Sequence, residues 1–417
     1  MPPERTLLMI PGPVEISPAV REAAAVAPPG HLDPDFQTTF AAALAAMRQV
    51  WLAPPEAAPF ALAGGGTLAM ESAATNLVAP GERALVVSTG YFGERMAEML
   101  RRRGAEVVIL AAPPGDAPAA GQADAALAAA ASSGRPFKAL FATHVDTSTG
   151  VLIDPEPFAR TARRHGALSV FDGVCATGGE RFEMAAWGAD LYFTASQKAI
   201  GLPPGLALWV AGPRALAARR ALAAPPPLAL DWEAWRPVFE AYEAGRPAYF
   251  STPPTTLLLA LRTGLAELLE DDDEPAAAMA AVFAAHRRAA RALRSAWRVL
   301  GLAPVPVREP LEAHTLSALR FPAGRGNELV AAVRAHGVTV AGGLLPALAG
   351  TYFRVGHMGW ATRSPEMLLR TVSAVGAAVA GAGSAAAREA ERAFEADFGT
   401  GPETAAPPAL AGPRRGD

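Results

Sequence analysis

Three features of this 417-residue sequence predict an α/β fold built on a mostly parallel sheet. Short apolar runs recur through the first half, segments of helical length separate them, and polar residues collect where the apolar runs stop. A smaller α+β unit is expected to follow toward the C-terminus.

The elements are taken in chain order. Residues 83–88 (Arg-Ala-Leu-Val-Val-Ser) read as a buried strand, and 92–103 as a helix ended by Gly104. Further strands are expected over 106–110 and 138–143, then a turn and a helix over 155–165. The strand 167–171 stops at Asp172, and strands over 190–194 and 206–210 complete the alternation. The stretch 225–254, rich in Pro, Trp and Tyr, is expected to cross between domains or subunits. Helices follow over 255–270 and 276–300, joined by the acidic run Glu270–Glu274, which reads as a solvated helix end. Strands over 316–321, 338–341 and 352–355, with helices over 327–336 and 365–380, describe the α+β unit. The resulting division is an N-terminal arm (1–20), a large domain (21–260), a small domain (261–385) and a charged helix leading into a disordered Pro/Ala/Gly-rich tail (386–417).

Composition narrows the function classes. Hydrophobic residues make up 51% and charged residues 18%, enough for a large core. A net charge of −3 leaves no electrostatic footprint for nucleic acid or an acidic membrane surface. The single cysteine, Cys175, excludes an intrachain disulfide framework and fits a reducing compartment. The N-terminus lacks the basic-then-apolar layout of a secretory signal, and the Ala/Gly/Ser-rich stretch 371–387 suits a packed helix better than a membrane span. A soluble cytoplasmic protein is the expectation, and no metal-ligand spacing is present.

The chemistry centres on lysine scarcity. Only two of the 37 basic residues are lysines, Lys138 and Lys198. Arginine stays protonated and cannot attack a carbonyl, whereas a lysine amine can lose its proton and do so. Lys138 opens a strand and reads as solvated. Lys198, in Ala195-Ser196-Gln197-Lys198, lies at the exit of a buried strand, where burial favours the neutral nucleophile. Asp172 also ends an apolar strand; it either caps the next turn or serves as a buried anion under a protonated pyridine nitrogen. Gly64-Gly65-Gly66-Thr67 precedes a helix, so its amides and the helix dipole suit a phosphate, although neither nucleotide-binding glycine pattern is present. Thr143–Gly150 is dense in hydroxyls and acceptors, and reads either as an Asx/ST turn or as a cofactor contact. His144 within it reads as structural. Arg354, flanked by apolar strand residues, needs an anionic partner: a structural carboxylate or that of a substrate.

Taken together, Gly64–Thr67, Asp172, Ser196-Gln197-Lys198 and Arg354 resemble the class V aminotransferases, which use pyridoxal 5'-phosphate. The resemblance runs from about residue 7 to 380. Pro11-Gly12-Pro13, Gly30–Phe36, Thr143–Gly150, Thr194–Gly201, Tyr242–Gly245, Tyr249–Pro254 and Ala341–Gly343 are similar to the alanine–glyoxylate group in particular. The resemblance implies fold type I, a seven-stranded-type sheet and a homodimer with shared sites. It implies that Lys198 forms the Schiff base and shuttles the proton, and that Asp172 pairs with the pyridinium. It assigns the phosphate to Gly65, Gly66, Thr67 and Gln197, and ring stacking to Phe92. Thr147 or Ser148 would contact the ring hydroxyl region. Tyr249 and Thr252 would reach the neighbouring subunit's phosphate, and Arg354, with Gly12 nearby, would hold the substrate carboxylate. Gly65 departs from the serine frequent in relatives, and Phe92 from the tryptophan of some; both departures should weaken the grip on cofactor modestly. The implied activity moves an amino group from alanine, or serine, to glyoxylate or pyruvate. A lyase such as a cysteine desulfurase would need Cys175 as a nucleophile, and a non-catalytic cofactor-binding protein would not need both Lys198 and Arg354.

Overall fold

Seven strands form the central sheet of the computed structural model, which describes residues 5–270 and 274–399. The expectations for residues 1–4, for the middle of the acidic run (271–273) and for the tail (400–417) lie outside the described residues. The strands are β1 (Ala58–Ala63), β2 (Arg83–Ser88), β3 (Glu106–Ala111), β4 (Ala139–Thr143), β5 (Leu168–Asp172), β6 (Leu191–Ala195) and β7 (Leu206–Ala211). Their order across the sheet is β1-β7-β6-β5-β4-β2-β3. Every residue of β4, β5, β6 and β7 is buried, because helices cover both faces and leave no solvated side to alternate toward. Edge strand β3 is only half-buried.

One strand, β7, runs against the others. The link from β6 to β7, residues 196–205, is too short for the helical crossover that a parallel neighbour requires. The chain therefore turns back on itself directly after β6, and Lys198 sits inside that turn. Register places Thr143 beside Asp172, and Asp172 beside Phe193, so the carboxyl ends of β4, β5 and β6 are level. This is the sheet edge where an α/β fold binds its ligands.

A second core lies beyond the sheet. Strands β8 (Leu316–Arg320), β9 (Ala341–Gly342) and β10 (Tyr352–Gly356) form an antiparallel sheet with β10 in the centre. Leu293, Trp297, Phe353, Val372 and Phe394 pack there, joined by Leu7 and Met9 from the N-terminus. Helix Pro275–Val299 serves both cores: Met279 and Phe283 face the first, Leu293 and Trp297 the second. Each such side chain contributes about 1.5–3 kcal/mol on burial.

Two expectations change. The stretch 225–254 is no simple crossing, since it carries helix Trp232–Glu243, whose Trp232, Trp235, Phe239 and Tyr242 pack into the first core. Pro237 inside that helix removes a backbone donor and blurs the helical signal. The strand expected over 338–341 divides. Val338–Thr339 pairs in parallel with Leu7–Leu8, while Ala341–Gly342 pairs with β10. The helix expected over 365–380 and the charged helix expected after it are found at Pro365–Ala380 and Ala385–Gly399, parted at Gly381, whose φ of +92° a side chain would resist. Among the described residues, no helix is long and apolar enough to cross a membrane.

Candidate active site

Lys198 and Asp172 belong to neighbouring parallel strands and their exits, and the fold brings both to one end of the sheet. Lys198 is 9% exposed, and its Nζ donates to the carbonyl of Pro11. Burial lowers its pKa, and the Arg354 charge adds to that, while Cys175 and Asp172 oppose it. Gly12 lies against the same side chain: a Cβ there would stand 2.5 Å from Lys198 Cδ. Asp172 is buried and accepts the Val174 amide at 2.8 Å. Burial pushes its pKa up to about 7, so a cation laid against it would complete its ionisation.

The glycine turn leads into helix Gly66–Leu77, with Gly65 at the N-cap and no side-chain cap on the first amides. A Cβ on Gly65 would meet nothing within 4 Å, so the mouth of this cradle is open. Gly66 packs against Val174, which ties the cradle to the Asp172 turn. Gln197 lies one residue before the lysine, and its buried Oε1 has no hydrogen-bond partner. An orphaned buried acceptor is costly unless a ligand satisfies it.

Asp146 organises the facing wall. Its carboxylate accepts the Phe92 amide at 3.0 Å, the Ser148 amide at 2.9 Å and Ser148 Oγ at 2.6 Å. Ser148 Oγ also accepts the Tyr91 amide at 3.0 Å. Together they cap helix Tyr91–Arg102 and fix the entry of Phe92, which the glycine N-cap alone could not do. Thr143–Gly150 is thus an Asx-type turn that also shapes the site. The hydroxyl proton of Ser148 is engaged within the protein, whereas the Thr147 side chain lies by the Cys175 thiol.

Arg354 is half-buried on β10. Its Nε donates to the Gly342 carbonyl at 2.9 Å and its Nη1 to the Thr147 carbonyl at 3.0 Å. It forms no ion pair with a carboxylate among the described residues, so the structural salt bridge is absent and its charge is available to an anion. Tyr352, two residues earlier on the same face, accepts the Leu344 and Leu345 amides at 2.9 Å and donates to the Ser148 carbonyl. Sequence reasoning had not singled out Tyr352, Asp146 or Arg95.

Other sequence-predicted residues fall elsewhere. Tyr249 is 64% exposed, with its ring 5.4 Å from that of His31, and Thr252 is exposed; neither bonds to this cluster. Lys138 pairs with Glu82 at 3.4 Å, away from the site. His144 is buried with Nδ1 2.9 Å from Tyr192 Oη, and burial lowers its pKa to about 4, which fits a neutral structural histidine. Cys175 is fully buried and burial raises its thiol pKa, the opposite of a reactive thiolate.

The chain is similar to known proteins along most of its length. Residues 32–344 match the family model described as aminotransferase class-V. Alanine–glyoxylate aminotransferase 1 of Saccharomyces cerevisiae is 35% identical over 366 residues, covering 84% of this chain and 91% of that protein. L-aspartate–glyoxylate aminotransferase of Paracoccus denitrificans is 32% identical, covering 84% and 86%. The crystal structure of an alanine–glyoxylate aminotransferase from Nostoc sp. superposes with a TM-score of 0.80 at 30% identity, covering 90% of this chain and 95% of that one.

Proposed function

This chain belongs to the class V aminotransferases, and on that footing we propose that it moves an amino group from alanine, or secondarily serine, to glyoxylate, with pyruvate as the alternative acceptor. One observation carries the reading. Arg354, a guanidinium with no acidic partner among the described residues, is held by two carbonyls within electrostatic reach of the buried Lys198 amine.

The residues fit pyridoxal 5'-phosphate: an uncapped glycine cradle, a buried carboxylate and a buried amine share one edge of the sheet. When bound, that group supplies an aldehyde carbon to carry the amino group and a ring that withdraws electrons from the reacting carbon. Lys198 Nζ, its proton loosened by burial, is placed to take the proton from the amino acid Cα and return it one position away. Asp172 would hold a ring nitrogen in its protonated form. Gly65, Gly66, Thr67 and Gln197 would bind the phosphate, Phe92 would cover a ring face, and Thr147 or Ser148 would border the ring hydroxyl. Arg354 takes the substrate carboxylate in a two-pronged grip, with Gly12 leaving room beside the lysine. Exposed Tyr249 and Thr252 are assigned to the phosphate of a second copy, which makes the working unit a homodimer.

A panel of alanine, serine, glycine and aspartate against glyoxylate and pyruvate tests this. Alanine should bleach the visible absorbance of the loaded enzyme and glyoxylate restore it. If no small amino acid changes the absorbance, the assignment is wrong. Release of sulfide from cysteine, lost in Cys175→Ala, would replace it with a lyase.

A further inference from the structure

Arg95 lies one helical turn beyond the aromatic pair at the start of helix Tyr91–Arg102. Its Nη2 donates to Tyr91 Oη at 2.8 Å, and its Nη1 lies 3.4 Å from Thr67 Oγ1. The guanidinium stands 4.7 Å from the Tyr91 ring centroid and 5.3 Å from that of Phe92. It forms no ion pair with a carboxylate among the described residues. Its charge is nevertheless felt at Asp172. Arg95 therefore bridges two walls of one site: the helix that begins at Gly66 and the helix that presents Phe92.

Two further facts define what is missing between those walls. Gly65 offers no hydroxyl where the cradle is open, and no side chain caps the first amides of helix Gly66–Leu77. A dianionic phosphate seated on two or three amides alone would keep much of its charge uncompensated, and a planar guanidinium matches it with paired donors.

We propose that Arg95 is the cationic wall of the phosphate cradle, donating to the cofactor phosphate where Gly65 cannot. This rests on the cofactor reading above. A charge-assisted hydrogen bond of this kind accounts for about a ten- to hundredfold change in affinity.

The test uses cofactor-stripped full-length protein and two probes with the same ring, pyridoxal 5'-phosphate and pyridoxal. Binding is read by absorbance and fluorescence, with circular dichroism as a check on folding. Arg95→Gln should raise Kd for pyridoxal 5'-phosphate about ten- to hundredfold and leave Kd for pyridoxal unchanged. Arg95→Lys should recover part of the loss, since it restores charge without the fork. Inorganic phosphate should compete with pyridoxal 5'-phosphate in the wild type and compete less in Arg95→Gln. Equal weakening of both probes, or no weakening of either, overturns the assignment. A wild-type protein that binds neither probe overturns the cofactor reading itself.

Discussion

Gly12→Ala separates the chemistry of Lys198 from the stability of the fold. The added Cβ would stand 2.5 Å from Lys198 Cδ and 2.8 Å from both Cε and Nζ. Carbon atoms in contact prefer about 3.5–4.0 Å, so the lysine chain must retreat by about 1 Å. Gly12 also has φ of +92°, where an L side chain costs about 1–2 kcal/mol. Lysine is flexible, so the overlap is relieved by moving the amine off the Pro11 carbonyl rather than by disrupting the core. The stability loss should stay near the backbone term, about 1–2 kcal/mol. A displacement of about 1 Å at a reacting group costs about 100-fold in rate. Three measurements on one preparation decide it: melting temperature, kcat per folded molecule, and borohydride trapping of added cofactor on Lys198 followed by mass spectrometry. The expected result is a modest melting shift, a fall in kcat of about two orders of magnitude and slowed trapping. Wild-type kcat and wild-type trapping in the folded variant would refute the claim that Gly12 positions the lysine.

Two other outcomes follow from the site. In cofactor-free protein, burial raises Asp172 from 3.8 to about 7, so its contribution to stability is fully present below 3.8 and is lost as pH rises through about 7. Asp172→Asn should therefore be relatively more stable than wild type at pH 8 than at pH 5, by urea midpoint, while turnover falls about 100-fold or more; an unchanged difference between the two pH values would count against a buried titrating carboxyl. Tyr352→Phe removes the hydroxyl that accepts the Leu344 and Leu345 amides. It should cost about 1–3 kcal/mol and loosen the segment whose Gly342 carbonyl steadies Arg354, raising KM for amino and oxo acids more than it lowers kcat; the reverse split would place Tyr352 in the chemistry.

Much of the sheet was legible because its strands are buried on both faces and so appear as unbroken apolar runs with abrupt polar ends. Asp172 and Lys198 stand at two of those ends, so position marked both for inspection, while their joint role came from the family resemblance. The reversal of β7 was not read, because a buried apolar strand carries no sign of its direction, and β1 was not among the expected strands. What escaped depends on contacts distant in sequence. Val338–Thr339 seeks Leu7–Leu8, more than 300 residues away, and no local pattern announces that pairing. Arg95 is one arginine among many in an arginine-rich chain, and only the approach of two helices distinguishes it. Ser148 was an open alternative to Thr147 because hydroxyls look alike in sequence, whereas the bonds to Asp146 and Tyr91 show that Ser148 also holds a helix end.

The N-terminal segment gives this molecule a mechanical link between its two cores. Leu7–Leu8 is stitched to Val338–Thr339, the Met9 carbonyl accepts the Gly356 amide at 2.8 Å, and the Pro11 carbonyl accepts a hydrogen bond from Lys198 Nζ. Three residues, 9–11, thus run from the end of the strand that carries Arg354 to the Lys198 amine. The end of the Arg354 strand and the resting place of the lysine thus lean on one short stretch of backbone, so neither is anchored independently of the other.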